Sequence, residues 1–449
     1  MIDIQLLLAI GLGISVLLFL ILRLKMQAFL ALLIACILVG IVAGMPPTAI
    51  LESVKNGMGG TLGFVAIVVG LGALFGSILE QSGGAQQLAT QMLNTFGLQR
   101  SPWAVMCTGF IIAIPVFFDV AFIILVPIIY ALQKRTNKSL IIYAIPLLAG
   151  LAITHTFIPP TPGPIAVADI LGADLGYVII FGAIAGIPAA IIAGPLLGNF
   201  LAKRMHVQTP ETAMANVDIP KNAPSVASIL LIIAIPIVLI VCNTLVSSPL
   251  VDQDALNKEL RYIISLLGHP FVALIIANLV AWYFLGIRKG FTKSQLLTVS
   301  TKSLYPAGVI ILLTGAGGAF KQILIDTGAG KMIAESLNTA YFPPVIFGFL
   351  VAAIVRILQG SATVAMITSA GITAPILEVA APSAPQLAVL VIAIASGATI
   401  FSHVNDSGFW LVKQYLGLSE KQTFASWSVM TTLIALVGVV VATLLWFVV

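Results

Sequence analysis

Thr154-His-Thr-Phe-Ile-Pro-Pro-Thr-Pro-Gly-Pro164 ends in four prolines and a glycine within six residues, Pro159 to Pro164, and apolar runs lie on both sides of it. Proline withholds a backbone donor and clashes with the preceding turn, so no helix continues through such a stretch. Broken backbone at membrane depth survives only where it is buried in protein or lines a wet cavity. A second stretch, Phe401-Ser-His-Val-Asn-Asp-Ser-Gly-Phe409, sets Asn405, Asp406, Ser407 and Gly408 between apolar residues in the same way. The freed amides and carbonyls, with the half-helix ends, can hold an anion or an ion.

The rest of the chain puts both breaks in a membrane. Of its 449 residues 60% are hydrophobic and 8% charged, and the mean hydropathy is +1.13. A soluble domain carries about 25% charged residues, whereas a bilayer-spanning helix needs about 20 apolar ones. This composition excludes a disordered chain, a secreted disulfide scaffold and a nucleic-acid binder. The pI of about 9.1 comes from 21 Lys+Arg against 16 Asp+Glu, so placement rather than amount gives the charge its meaning. Cys36, Cys107 and Cys242 lie in apolar runs without CxxC spacing and read as buried small hydrophobes. Ile2–Leu22 has no basic residue before it and no small-residue cleavage site, so it reads as a retained first span.

Ten full spans are expected, at Ile2–Leu22, Phe29–Met45, Leu62–Leu79, Ile141–Phe157, Tyr177–Leu201, Val226–Cys242, Phe271–Ile287, Tyr305–Leu324, Leu387–Phe401 and Phe424–Val448. Trp103–Tyr130 and Val345–Leu377 are too long for one crossing and too short for two, and each is interrupted near its centre, so each reads as a re-entrant hairpin. With both termini outside, most basic residues collect on the inner side and only Lys55, Lys258, Arg261, Lys321 and Lys331 fall outside, as the positive-inside rule requires. Counting either hairpin as a crossing would invert everything after it and spoil this bias.

The polar stretch from Ala202 to Pro224 reads as a cytoplasmic linker between two comparable halves. Gly70–Phe75 resembles Gly315–Phe320, Ile78-Leu79 matches Ile323-Leu324, and Leu93-Asn-Thr95 matches Leu337-Asn-Thr339. The fold class is therefore an all-α polytopic membrane protein of two inverted-topology repeats, each with five spans (one broken) and one re-entrant hairpin. The first repeat takes residues 1–201, with its hairpin at 103–133 and its broken helix at 141–172. The linker takes 202–225, and the second repeat takes 226–449, with its hairpin at 345–377 and its broken helix at 387–415. Inverted repeats with broken helices mark secondary transporters, which bind substrate near the midplane.

The hairpin tips supply the opposing polar groups. Asp119 stands among apolar neighbours in the first, and Arg356, Gln359, Gly360, Ser361 and Thr363 form the second. Asp119 is either a protonatable carboxylate coupling proton entry to substrate or a structural partner of Arg356. Arg356, whose planar fork suits a carboxylate, either contacts a substrate anion or forms a salt bridge. His155 is a proton-handling group or a satisfied packing histidine. Asp406 binds substrate or caps the half-helix that follows it. His403 and Asp406 form an incomplete metal pattern, and no metal or cofactor is expected. The glycines of Gly70–Gly76 and Gly315–Gly318 read as close helix packing. A membrane-embedded enzyme using His155, His403 and Asp406 lacks an activated nucleophile beside a base, and a passive channel lacks a charged ring or carbonyl filter.

Across nearly its whole length the chain resembles the gluconate permease family of bacterial inner-membrane transporters, within the wider ion transporter superfamily. The resemblance rests on GGTLGF at Gly59–Phe64, FFDVAF at Phe117–Phe122, the Thr154–Pro164 run, GAGGAFKQ at Gly315–Gln322, RILQGSATVA at Arg356–Ala365 and SHVNDSGFWL at Ser402–Leu411. It implies import of a sugar acid, gluconate or a related hexonate or hexuronate, by proton symport in an elevator-like homodimer. Another small carboxylate such as D-serine is the alternative, because relatives that carry it share the scaffold. The resemblance gives candidate roles to Gln359, Gly360, Ser361, Thr363, Thr161, Ser402, Asn405 and Asp406 in substrate binding and to Asp119 and His155 in proton coupling, and the residues themselves add Arg356, Gly163 and Ser407 to the substrate-binding candidates. Relatives often carry Glu at the position of Asp119 and His at that of Thr161.

Overall fold

The computed structural model describes residues 4–210, 223–247, 257–328 and 343–449, and among these all regular secondary structure is helical. The first half runs through α1 (Ile4–Leu22), α2 (Ala28–Val42), α3 (Pro47–Gln81), α4 (Gly84–Phe96), α5 (Ser101–Ile112), α6 (Phe118–Thr136), α7 (Ile141–Phe157), α8 (Pro162–Leu171) and α9 (Leu175–Ala202). The second runs through α10 (Val226–Ser247), α11 (Lys258–Gly268), α12 (Pro270–Lys289), α13 (Lys293–Asp326), α14 (Pro344–Gln359), α15 (Ala362–Thr373), α16 (Ala384–Thr399), α17 (Ser407–Leu416) and α18 (Glu420–Trp446). Residues 211–222 of the expected linker, and the match at Leu337–Thr339, lie outside the described residues.

Seven helical stretches among the described residues are long and apolar enough to cross a membrane. Ten spans are expected from the sequence; of the other three, α2 and α16 are apolar helices of 15 and 16 residues, and α1 is an apolar helix of 19 residues. Two spans are much longer than their apolar stretches suggest. α3 starts at Pro47 rather than near Leu62, and α13 starts at Lys293 rather than near Tyr305. Hydropathy sees only the apolar part of such a helix, whereas 35 residues at about 1.5 Å each reach roughly 50 Å. The short helices α4 and α11 are additions that the span search could not find.

Local chemistry sets the ends. Thr292, Ser383 and Ser419 each close a capping box with a glutamine three residues on, which starts α13, α16 and α18. Asp174 caps α9 through the amides of Gly176 and Tyr177 and also accepts a 2.6 Å hydrogen bond from Thr244 of α10, tying the two halves together. The halves share their boundaries as well. One constant offset carries Pro162, Leu171, the left-handed Gly172 and Leu175 onto Ser407, Leu416, the left-handed Gly417 and Glu420.

The glycine-rich stretches are packing surfaces. α3 and α13 cross where Gly57 and Gly318 meet backbone to backbone, and a methyl group on either would lie within 2.6 Å of the other's carbonyl oxygen. Farther along α3, Gly72 faces the carbonyl of Pro160 and Gly76 faces that of Pro115, where an added Cβ would stand 1.9 Å from the oxygen. Gly76→Ala is therefore expected to destabilise the protein by about 1–3 kcal/mol, the usual cost of overpacking. Thermal unfolding in detergent checks this, and a variant as stable as the parent would contradict the contact. The cysteines depart from expectation: Cys36 is buried, Cys107 half-buried and Cys242 exposed, because Cys242 stands on an outer face of α10.

Candidate functional site

All four expected interruptions are present. α5 and α6 part at Ala113–Phe117 around Pro115, α7 and α8 at Ile158–Thr161, α14 and α15 at Gly360–Ser361, and α16 and α17 between Ile400 and Asp406. Gly360 has φ +94°, and a Cβ there would stand 2.3 Å from the carbonyl oxygen of Asn405. A glycine is thus what lets the α14–α15 turn touch the α16–α17 break. α6 packs on the helices that flank this break: Phe118 on Trp427 of α18, Phe122 on Tyr415 of α17, and the Tyr130 hydroxyl donates to the Tyr415 carbonyl at 2.5 Å.

A cavity of about 370 Å³ opens where these segments converge. Its wall includes Asp119 and His155 from the first half, and Arg356, Gln359, Gly360, Ser361, Thr363, Asn405, Asp406 and Ser407 from the second. Thr161, Gly163 and Ser402 lie outside the lining. Thr161 is buried and donates to the Ile158 carbonyl; Gly163 packs under Met366; and Ser402 sits behind Asp406. A proline-rich break has few free amides to turn toward a ligand, and here its small residues serve packing.

The charges of this wall are paired unevenly. Arg356, 4% exposed, directs Nη2 to Asp406 Oδ2 at 2.5 Å and Nη1 to the Gly360 carbonyl, while its Nε is buried without a partner. Asp406 also accepts from the Ser402 hydroxyl and, through Oδ1, from the Gly408 amide at 3.1 Å, so it caps α17 as well as pairing. The alternative pairing of Asp119 with Arg356 is not what the structure contains. The Asp119 carboxylate faces the cavity and makes no hydrogen bond or ion pair with any described residue. His155 leaves Nδ1 buried and unpartnered, with its ring against Phe117.

Three helix N-termini frame the cavity: α6 through Phe118 and Asp119, α15 through Ser361 and Thr363, and α17 through Ser407 and Gly408. The aligned dipoles of these first turns favour an anion, although Ser361 already caps the Val364 amide of α15 and Asp406 the Gly408 amide of α17. Several polar or aromatic lining residues have no role in the sequence reading, among them Thr156, Thr399, Trp427 and Thr431. Trp427 donates from Nε1 to Ser402 Oγ at 2.6 Å, and Thr431 Oγ1 accepts from the Ser402 amide. Their signal is the polar run Ser426-Trp-Ser-Val-Met-Thr-Thr432 inside an apolar span, where a π turn at Phe424–Ser428 brings the side chains round to the break. Among the described residues no three His, Cys, Asp or Glu side chains group as a metal site.

Comparison with known proteins adds a family and a fold. The model of the GntP family permease matches residues 5–449. The low-affinity gluconate transporter of Escherichia coli strain K12 is 39% identical over 433 residues, covering 96% of each chain. The gluconate permease of Pseudomonas aeruginosa is 39% identical over 430 residues, covering 95% of this chain and 94% of that one. The Gnt-II system L-idonate transporter of Escherichia coli strain K12 is 36% identical over 434 residues, covering 96% and 97%. Among solved structures, the Alcanivorax borkumensis YdaH transporter superposes with a TM-score of 0.66 at 15% identity over 93% of this chain and 98% of its own. Neisseria gonorrhoeae MtrF superposes with a TM-score of 0.64 at 13% identity over 92% and 93%. At those identities the likeness is one of fold.

Proposed function

The chain belongs to the GntP family of permeases, and we propose that it imports a sugar acid, gluconate or a related hexonate or hexuronate, by proton symport across a bacterial inner membrane. It is a transporter and not an enzyme. The observation that carries the substrate class is the cavity itself: three helix N-termini for a carboxylate, and the polar side chains of Gln359, Ser361, Thr363 and Asn405 for hydroxyl groups. Its volume of about 370 Å³ is at the small end of ligand pockets, which begin near roughly 300 Å³ and suit a compact polyol acid.

The mechanism follows from the uneven charge pairing. Arg356 is engaged by Asp406 and Gly360, so the helix N-termini take the carboxylate and Arg356 fixes the α14–α15 turn against the α16–α17 break. Asp119 carries the coupled proton, with His155 as the neighbouring relay. Two inverted repeats with re-entrant hairpins at 103–133 and 345–377, termini on the periplasmic side, a cytoplasmic linker, a homodimer and elevator-like movement complete the reading. The shared helix boundaries and the placement of basic residues support the repeats and the orientation.

Uptake into proteoliposomes under an imposed pH gradient tests this. Gluconate, L-idonate, fructuronate, glucuronate, galactonate and D-serine, each competed against labelled gluconate, rank the substrates. Accumulation of a hexonate that collapses on adding a protonophore is the expected result. Uptake indifferent to the protonophore rejects proton coupling, and preference for D-serine rejects the sugar-acid class.

A further inference from the structure

A second cavity, of about 330 Å³, lies between the C-terminal end of α3, the N-terminal half of α13 and the α5–α6 turn. Ser77, Glu80, Gln81, Thr298, Lys302 and Ser303 line it. Neither the Glu80 carboxylate nor the Lys302 ammonium makes a hydrogen bond or ion pair with any described residue. The two cavities therefore differ in kind: the cation of the first is already paired, and the cation of the second has no partner among the described residues. Phe117 separates them, because it lines the second cavity while its ring stands edge-on to His155 of the first, with centroids 6.4 Å apart.

The repeat explains why this space is held open. The offset that relates the halves pairs Ser53 with Thr298, Gly57 with Lys302, Ala73 with Gly318 and Gln81 with Asp326. At one end of the α3–α13 crossing these residues close the gap: Ser53 donates to Asp326 at 2.5 Å, and Gly57 meets Gly318. At the other end their mates Gln81, Thr298, Ala73 and Lys302 all line the cavity. Glu80 and Lys302 have no charged counterparts at the closed end, for Glu80 corresponds to Ile325 and Lys302 to Gly57, and the carboxylate that does stand there, Asp326, is taken up by Ser53 and Gln322. Glycine and isoleucine allow contact, whereas a glutamate and a lysine desolvate at a cost and keep the space wet.

We propose that this second cavity is a separate binding station for the carboxylate substrate, with Lys302 taking the carboxylate, Glu80 and Gln81 the hydroxyls, and Phe117 forming the partition from the main site. It rests on the sugar-acid reading above. A polyhydroxy acid needs one cation and several acceptors or amides, and this wall offers both.

The test uses the full chain with Cys36, Cys107 and Cys242 replaced by alanine and uptake retained, and adds Ser77→Cys. Millimolar gluconate is expected to slow modification of the new thiol by a methanethiosulfonate reagent at least fivefold. Protection is expected to persist when the first cavity is weakened by Gln359→Leu and Thr363→Val, and to disappear with Lys302→Gln. Lys302→Gln alone is expected to raise KM for gluconate about tenfold with the maximal rate within twofold. Protection that survives Lys302→Gln, or that vanishes with the first-cavity substitutions alone, overturns the station. Uptake without any protection overturns it while leaving the sugar-acid reading intact; absence of uptake for every acid in the panel overturns both.

Discussion

Proteoliposomes containing Asp119→Asn are expected to exchange internal for external gluconate and to accumulate none of it under a pH gradient. The reason is the charge of the first cavity. Arg356 and Asp406 cancel, so an ionised Asp119 leaves the wall with one uncompensated negative charge. Two like charges about 6 Å apart at an effective dielectric near 20 repel by roughly 3 kcal/mol, on the order of a hundredfold in affinity. Protonating Asp119 removes that cost, and by linkage the bound anion favours the proton by the same factor. Asparagine mimics the neutral form permanently, so the anion still binds and moves but no proton travels with it. With one proton per anion, a gradient of two pH units can drive about hundredfold accumulation in the parent protein, at roughly 1.4 kcal/mol per unit. A variant that still accumulates gluconate places the coupling site elsewhere, and His155 becomes the next group to replace. A variant that loses exchange as well assigns Asp119 to substrate binding.

Features written into local chemistry were legible in the sequence. Prolines at 159, 160, 162 and 164, and the run from Asn405 to Gly408, break helices whatever surrounds them, and both breaks fall where they were expected. Gly360 reads from the sequence as a close approach to a ligand, whereas in the structure the group it approaches is the Asn405 carbonyl. Arg356 could not be assigned a partner, since Asp119 and Asp406 are both intramembrane carboxylates and only the tertiary meeting of turn and break selects one. Trp427 and Thr431 were passed over because a span search scores them as part of an apolar helix. Lys302 entered only a count of basic residues by membrane side and Glu80 entered none, and such a count cannot tell that α3 and α13 bring the two to one cavity. The amphipathic helices α4 and α11 were invisible to a search for crossings for the same reason: hydropathy averages a face away.

The charged contact that joins the α14–α15 turn to the α16–α17 break in the wall of the first cavity is the Arg356–Asp406 pair, and its removal is expected to be the most damaging change in the protein. The two side chains are 4% and 13% exposed. Deleting one partner of a buried pair leaves an uncompensated charge and costs about 3–5 kcal/mol. The two deletions are not equivalent. After Arg356→Gln, Asp406 keeps the Ser402 hydroxyl and the Gly408 amide. After Asp406→Asn, the guanidinium, which cannot shed its proton, loses its countercharge, keeps only neutral acceptors such as the Gly360 carbonyl, and already has an unpartnered Nε. Asp406→Asn should therefore lower the unfolding midpoint in detergent further than Arg356→Gln. The double variant carries two neutral amides and no stranded charge, so it should recover most of the loss, a non-additivity that a double-mutant cycle measures directly. Single effects that simply add would show that the two groups do not act as a pair. Transport then separates structure from function: a double variant that refolds but does not carry gluconate means that the charged pair sets the geometry of the turn and the break for the substrate. One that regains uptake as well as stability means that the pair only holds the two segments together.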